Sequence, residues 1–323
     1  MTSMILPPKQ PAARRFVFVA MLLACVVLSP LAVLSGYGLD VITEIMIFAI
    51  VAVSLNLILG YGGMVSFGHA AFFGLGAYAT VLISTRYDVS PWLGLAGGVG
   101  MATAAAIVIG AFCVRLGGVG FFMMSLAFAQ LLNSGAIKWR PLTGGSDGVG
   151  GLLRPELFGF DLSDAGPMYL FTAAGLAGVL LVMRMVIASP FGHALVGTRE
   201  SSLRMEAIGY QTRRIRLAAF AVSGAIAGLG GALYAFYNGF VSPDALSFGT
   251  SGMILLMVIL GGKGSLLGPV LGAGLFLSVK NIVSTHTSHW LLIVGCIFVA
   301  CVMVCPDGIL GFGKRLFRSG ERR

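Results

Sequence analysis

Residues 41–76 read VITEIMIFAIVAVSLNLILGYGGMVSFGHAAFFGLG. The first half, 41–59, is almost wholly apolar and close to the roughly 20 residues a helix needs to cross the hydrocarbon core of a bilayer. The second half has glycine at six of 17 positions: 60, 62, 63, 68, 74 and 76. Glycine permits positive φ and close backbone approach, and it weakens a helix. Lipid offers no hydrogen bonds, so a broken helix at membrane depth must lie against protein or a water-filled cavity. Two readings follow. Asn56, Ser66 and His69 are the polar groups of a broken helix lining a pathway, or the glycines serve close packing between helices. A lone histidine such as His69 more often holds a structural hydrogen bond than a ligand.

Outward from this stretch the pattern repeats. Candidate spans are 16–34, 41–59, 92–112, 168–188, 217–236 and 290–304, with weaker or glycine-interrupted ones at 67–83, 119–137, 251–260 and 266–283. The expectation is an all-α polytopic membrane protein with about 8–10 transmembrane helices, some segments being re-entrant. Its parts are a tail over 1–15, a membrane domain over 16–304 and a basic tail over 305–323. Composition agrees: 57% of the 323 residues are hydrophobic and 10% charged, too few charges to cover a water-facing surface. A cleaved leader is the alternative for 16–34, but the run is long for one and more spans follow.

The charges orient this layout. With ten spans and both termini in the cytoplasm, 16 of the 21 basic residues face inward. Only Arg86, Lys138, Arg140, Arg154 and Lys280 face outward, which fits the positive-inside rule. Glu44, Arg184 and Lys280 fall within spans but near their ends, from where a long side chain reaches the interface. The net charge of +9 does not indicate nucleic acid, since the basic residues form no aromatic-interleaved face. The five cysteines lie in or beside apolar segments and read as packing residues.

Three further stretches carry information. The outer TGGSDGVGG at 143–151, with Thr143, Gly144, Gly145 and Asp147, reads as a tight turn, or as a gate or docking surface. Residues 189–216, SPFGHALVGTRESSLRMEAIGYQTRRIR, form a cytoplasmic loop. Ser189-Pro190 is a helix start and Gly209 a stop. Between them a short helix presents Leu203, Met205, Ala207 and Ile208, with no core of its own to bury them, so a partner protein is expected. GGKGSLLGP at 261–269 loosely echoes Gly62-Gly63…Ser66. No P-loop, zincin or nucleophile-elbow motif occurs, and His286 and His289 are too few for a metal site. No catalytic or metal-ligating residue and no cofactor is therefore assigned to this chain.

The strings NLILGYGGMVSFGHAAFFGLGAYA (56–79), MSLAFAQLLNSGAIKWRPLTGGSDGVGG (124–151), the 189–235 segment, the 239–273 segment and PDGILG (306–311) resemble the branched-chain amino acid permeases of ATP-binding-cassette importers. The TGGSDG loop resembles the LivM-type half. The resemblance implies a bacterial inner-membrane complex with a LivH-like second permease, two cytoplasmic ATPase subunits that bind ATP and Mg, and a periplasmic solute-binding protein. It implies that Arg199, Glu200, Met205, Glu206, Ala207 and Gly209 form the helix that docks on an ATPase subunit. Glu206-Ala207…Gly209 stands where the family's E-A-A-like motif falls, with Ile208 departing from it. Gln130 stands where the family often has Glu, on the candidate substrate pathway. An ion-coupled secondary transporter is the alternative, but the ionisable residues lie near span ends rather than at the midplane. A membrane enzyme would need a nucleophile, base and acid set, which these residues do not supply.

Overall fold

The computed structural model describes residues 36–286 apart from 88, 153, 158 and 159, together with Leu292, Gly295 and Cys296. The expected span 16–34, most of 290–304, both tails and the PDGILG string lie outside the described residues. All eight other expected spans are helices. They are α1 (Gly36–Asn56), α2 (His69–Arg86), α3 (Pro91–Cys113) and α4 (Val119–Lys138); after a short α5 (Arg140–Thr143) comes α6 (Ala165–Ala188). Two short helices follow, α7 (Pro190–Glu200) and α8 (Ser202–Ala207), then α9 (Thr212–Asn238), α10 (Phe248–Gly261) and α11 (Gly268–His286). Strand structure among the described residues is limited to two-residue pairs, β1 (Val149–Gly150) with β4 (Phe240–Val241) and β2 (Glu156–Leu157) with β3 (Phe160–Asp161). The protein is an all-α polytopic membrane protein. α10 has 14 residues, about 21 Å at 1.5 Å per residue, and is too short to cross a core of about 30 Å alone.

Small residues set the packing. α9 lies against α2 and α3, with Gly224 against Ala106 and Gly228 against Ala102. A Cβ on Gly231 would stand 1.9 Å from the Phe73 carbonyl oxygen, and one on Gly76 2.4 Å from that of Gly228. This is small-xxx-small packing, in which backbones approach because no side chain intervenes. α1 is the axis of the bundle: 78% of its most apolar stretch is buried, against 22–28% for α3, α4 and α6. Those three peripheral helices present apolar faces outward, as lipid or a neighbouring subunit requires.

The connections fall into two groups at opposite ends of α1. At one end, Tyr237 donates to the Asp40 carbonyl (3.2 Å) and Arg154 to the Tyr237 carbonyl (2.7 Å). The β1–β4 ladder and a bond from Arg86 to the Pro141 carbonyl lie in the loops of that end. At the other end meet Gly60, Arg199 and the 262–265 loop. Asp40 and Gly60 are separated by about 30 Å of helix rise. The groups are those the alternating layout assigns to opposite sides of a membrane.

Three details differ from the sequence expectations. The single helix expected between Ser189 and Gly209 is two, because Ser201 leaves helical geometry and caps α8 by accepting from Arg204 N (3.3 Å). Glu44 and Lys280, read from the sequence as separate charges near span ends, pair with each other at 3.3 Å, partly exposed, between α1 and α11. Pairing spares each charge the cost of facing lipid alone. Cys113 is buried as expected, whereas Cys296 is exposed.

Candidate functional site

The break after α1 is held by hydrogen bonds to neighbouring helices. α1 passes into a π-helical turn over Leu57–Tyr61, and the chain is non-helical until His69, with Gly63 at φ +69°. The start of α2 needs acceptors for its free N–H groups. Ser251 of α10 accepts from Ala70 N (3.0 Å), Ser66 from Gly68 N (3.3 Å) and Ser125 of α4 from Phe67 N (3.4 Å). Phe67 stacks on Phe248 with ring centroids 5.3 Å apart.

Of the four candidate pathway residues, three are enclosed within the chain. Asn56, Ser66 and His69 are all fully buried. Asn56 donates to the Ser265 carbonyl (2.8 Å) and accepts from Gly264 N (2.9 Å), so it clamps the second glycine-rich loop. The clamp joins the 261–269 segment to the helix that runs into the Gly62-Gly63…Ser66 stretch it echoes. His69 Nε2 lies 2.6 Å from Ser54 Oγ. Ser54 donates to the Val51 carbonyl, which leaves it to accept from the histidine. Ser223 donates to the Ser54 carbonyl (2.6 Å), tying α1, α2 and α9 together. Gln130 alone of the four is exposed, on a face of α4 shared with Ala127, Leu131 and Ser134.

In the 143–151 segment every glycine that turns the chain has positive φ: Gly144, Gly145, Gly148 and Gly151. Thr143 is buried and donates to the carbonyls of Ala136 (2.5 Å) and Trp139 (2.8 Å). Asp147 is exposed beside Ser146, and the loop is anchored by the β1–β4 ladder. The nearby Asp161 carboxylate accepts from Ser163 N (2.8 Å), and the Ser163 bonds hold it below the usual carboxylate range.

The 189–216 loop is stiff and apolar at its tip. Ser189 caps α7 with Pro190 in its first turn, as expected. α8 ends in a Schellman arrangement around Gly209 at φ +90°, with Gly209 N bonded to the Glu206 carbonyl and Tyr210 N to that of Met205. Thr212 donates to the Glu206 carboxylate (2.6 Å), and Arg216 bonds Ser202. Met205 packs on Gly197. Leu203 is 81% exposed, Ile208 69% and Tyr210 48%, apolar side chains that the other described residues leave largely uncovered. Ala207 and Glu200 are exposed too. Arg199 is exposed as well, yet its guanidinium reaches the α1 break, where it bonds the Gly60 carbonyl.

Sequence reasoning missed Ser125 and Ser251, the acceptors that close the break, and the bond from Arg199 to Gly60. The signal for the serines was their presence in apolar spans, but which N–H each serves depends on helix pairing.

A family profile described as branched-chain amino acid transport system / permease component matches residues 37–302. The chain is 29% identical over 316 residues to the high-affinity branched-chain amino acid transport system permease protein LivM of Escherichia coli, covering 91% of this chain and 74% of that one. It is 25% identical over 300 residues to a probable LivM permease of Methanocaldococcus jannaschii, with 77% and 83% covered. It is 22% identical over 291 residues to the LivH permease of Escherichia coli, with 82% and 91% covered. No solved structure matches the chain. A polytopic helical bundle, broken at its glycine-rich turns and matched over most of its length, belongs to the permease-component family of branched-chain amino acid transport systems.

Proposed function

We propose that this chain is one permease half of an ATP-driven importer that carries branched-chain or other hydrophobic amino acids, or related small organic acids or amides, across a bacterial inner membrane. A LivH-like second permease completes the pathway. Two cytoplasmic ATPase subunits bind ATP and Mg and hydrolyse the nucleotide, and a periplasmic solute-binding protein delivers substrate. The end bearing α7 and α8 faces the cytoplasm, in keeping with its excess of Arg and Lys.

The observation that carries the reading is the exposed trio Leu203, Ile208 and Tyr210 on a capped, cross-braced turn. Such a turn gains by burying its apolar tip on a partner, and its bracing lets it act as a lever. Gln130 supports a shared pathway. An exposed amide halfway along a span is costly against lipid, so its face suits water or a second permease. Asp147 and its loop suit docking of the binding protein on the outer side.

The test is assembly and transport. Leu203→Asp should abolish co-purification of the ATPase subunits while the permease still inserts. Glu206→Lys removes the Thr212 bond, and Gly209→Pro cannot adopt φ +90°. Both should abolish ATP-driven uptake of labelled leucine, isoleucine or valine in proteoliposomes. Wild-type assembly and uptake in all three variants would refute the reading.

A further inference from the structure

The exposed apolar tip explains how the chain is gripped, but not how a movement there enters the membrane. Arg199 supplies the link. It stands in the last turn of α7, two residues before the Ser201 cap of α8 and four before the exposed Leu203. Its guanidinium donates to the Gly60 carbonyl, in the π-helical turn that ends α1. Carbonyls at a helix end lack partners within the helix and carry the negative end of its dipole, so a cation there is doubly favoured. The Arg199 stem lies across Gly63, where a Cβ would stand 2.7 Å from Arg199 Cγ. Gly264, at φ +78°, flanks the same guanidinium, and the Asn56 clamp joins that loop to α1. One side chain therefore bonds the first glycine break and stands beside the second, where the backbone has left helical geometry.

We propose that Arg199 is a positioning residue that transmits displacement of the α8 turn to the α1–α2 break and the 262–265 loop, and is not part of the surface that grips the ATPase. The inference rests on the proposed function and assigns this residue a separate step within it.

The experiment uses the full complex in proteoliposomes and measures substrate taken up per ATP hydrolysed. Arg199→Ala is expected to lower that ratio about ten-fold, while the ATPase subunits still co-purify and hydrolyse ATP at wild-type rates. Leu203→Asp should instead lose the subunits. If Arg199→Ala loses the subunits in the same way, or leaves the ratio unchanged, the proposal is overturned. Arg199→Lys keeps a cation but loses the guanidinium fork, and covers the case in which the alanine protein fails to insert. Its ratio should also fall, and an unchanged ratio overturns the proposal. A wild-type complex without ATP-driven uptake would refute the importer reading itself.

Discussion

Asn56→Ala is the sharpest probe of how the two glycine breaks are held. The side chain is fully buried and makes two bonds, to Ser265 O at 2.8 Å and from Gly264 N at 2.9 Å. Alanine removes both and leaves a backbone donor and a backbone acceptor without their partner. Net bonds are worth about 0.5–1.5 kcal/mol each, and each orphaned buried group adds about 1–3 kcal/mol. Bonds between membrane helices average nearer 0.6 kcal/mol, which sets a floor of about 1 kcal/mol for the pair. The expected loss is about 1–3 kcal/mol, because Asn56 is buried whereas Gly264 is exposed and Ser265 half-buried, so water offsets part of the penalty at the two backbone groups. Thermal unfolding of the purified permease in detergent, followed by circular dichroism, should show Tm lowered by several degrees. An unchanged Tm would mean that water or rearranged backbone satisfies Gly264 and Ser265, and the clamp argument would be wrong.

Three further predictions follow from packing and charge. Gly231→Ala puts a Cβ 1.9 Å from the Phe73 carbonyl oxygen and should destabilise by at least about 2 kcal/mol. Gly135→Ala, whose Cβ meets nothing within 4 Å, should be neutral or slightly stabilising, and equal effects in parallel melts would sink the packing account. For the partly exposed Glu44–Lys280 pair, Lys280→Met alone should cost more than Glu44→Gln with Lys280→Met. A double-mutant cycle should give a coupling of about 1 kcal/mol, and zero coupling would remove the pair from the account. Asp161 has a lowered folded pKa, chiefly from the Ser163 bonds. Its contribution is therefore present at and above the usual carboxylate range and lost as pH falls below it. Carboxyl NMR should give a midpoint below the usual value, and Ser163→Pro, which removes the N–H donor, should raise it.

Much of the architecture was legible in the chain itself. Lipid demands long apolar runs and punishes broken backbone, so 41–59, 92–112 and 168–188 could be read as helices from composition alone, and Gly60–Gly68 as a break. Ser189-Pro190 and Gly209 marked real helix ends because capping is a local property of the backbone. Tertiary structure decided everything that depends on which helices pair. Asn56 and His69 are polar in sequence whether they face a pathway or a neighbouring segment, and only the fold turned them toward Gly264 and Ser54, whereas Ser66 bonds Gly68 N two residues on, a local turn. Arg199 and Leu203 are both exposed on one short loop, yet only Arg199 reaches across to bond Gly60. A single chain shows what kind of side chain each position offers. The direction it points is set by contacts between residues more than a hundred positions apart, as with Arg199 and Gly60.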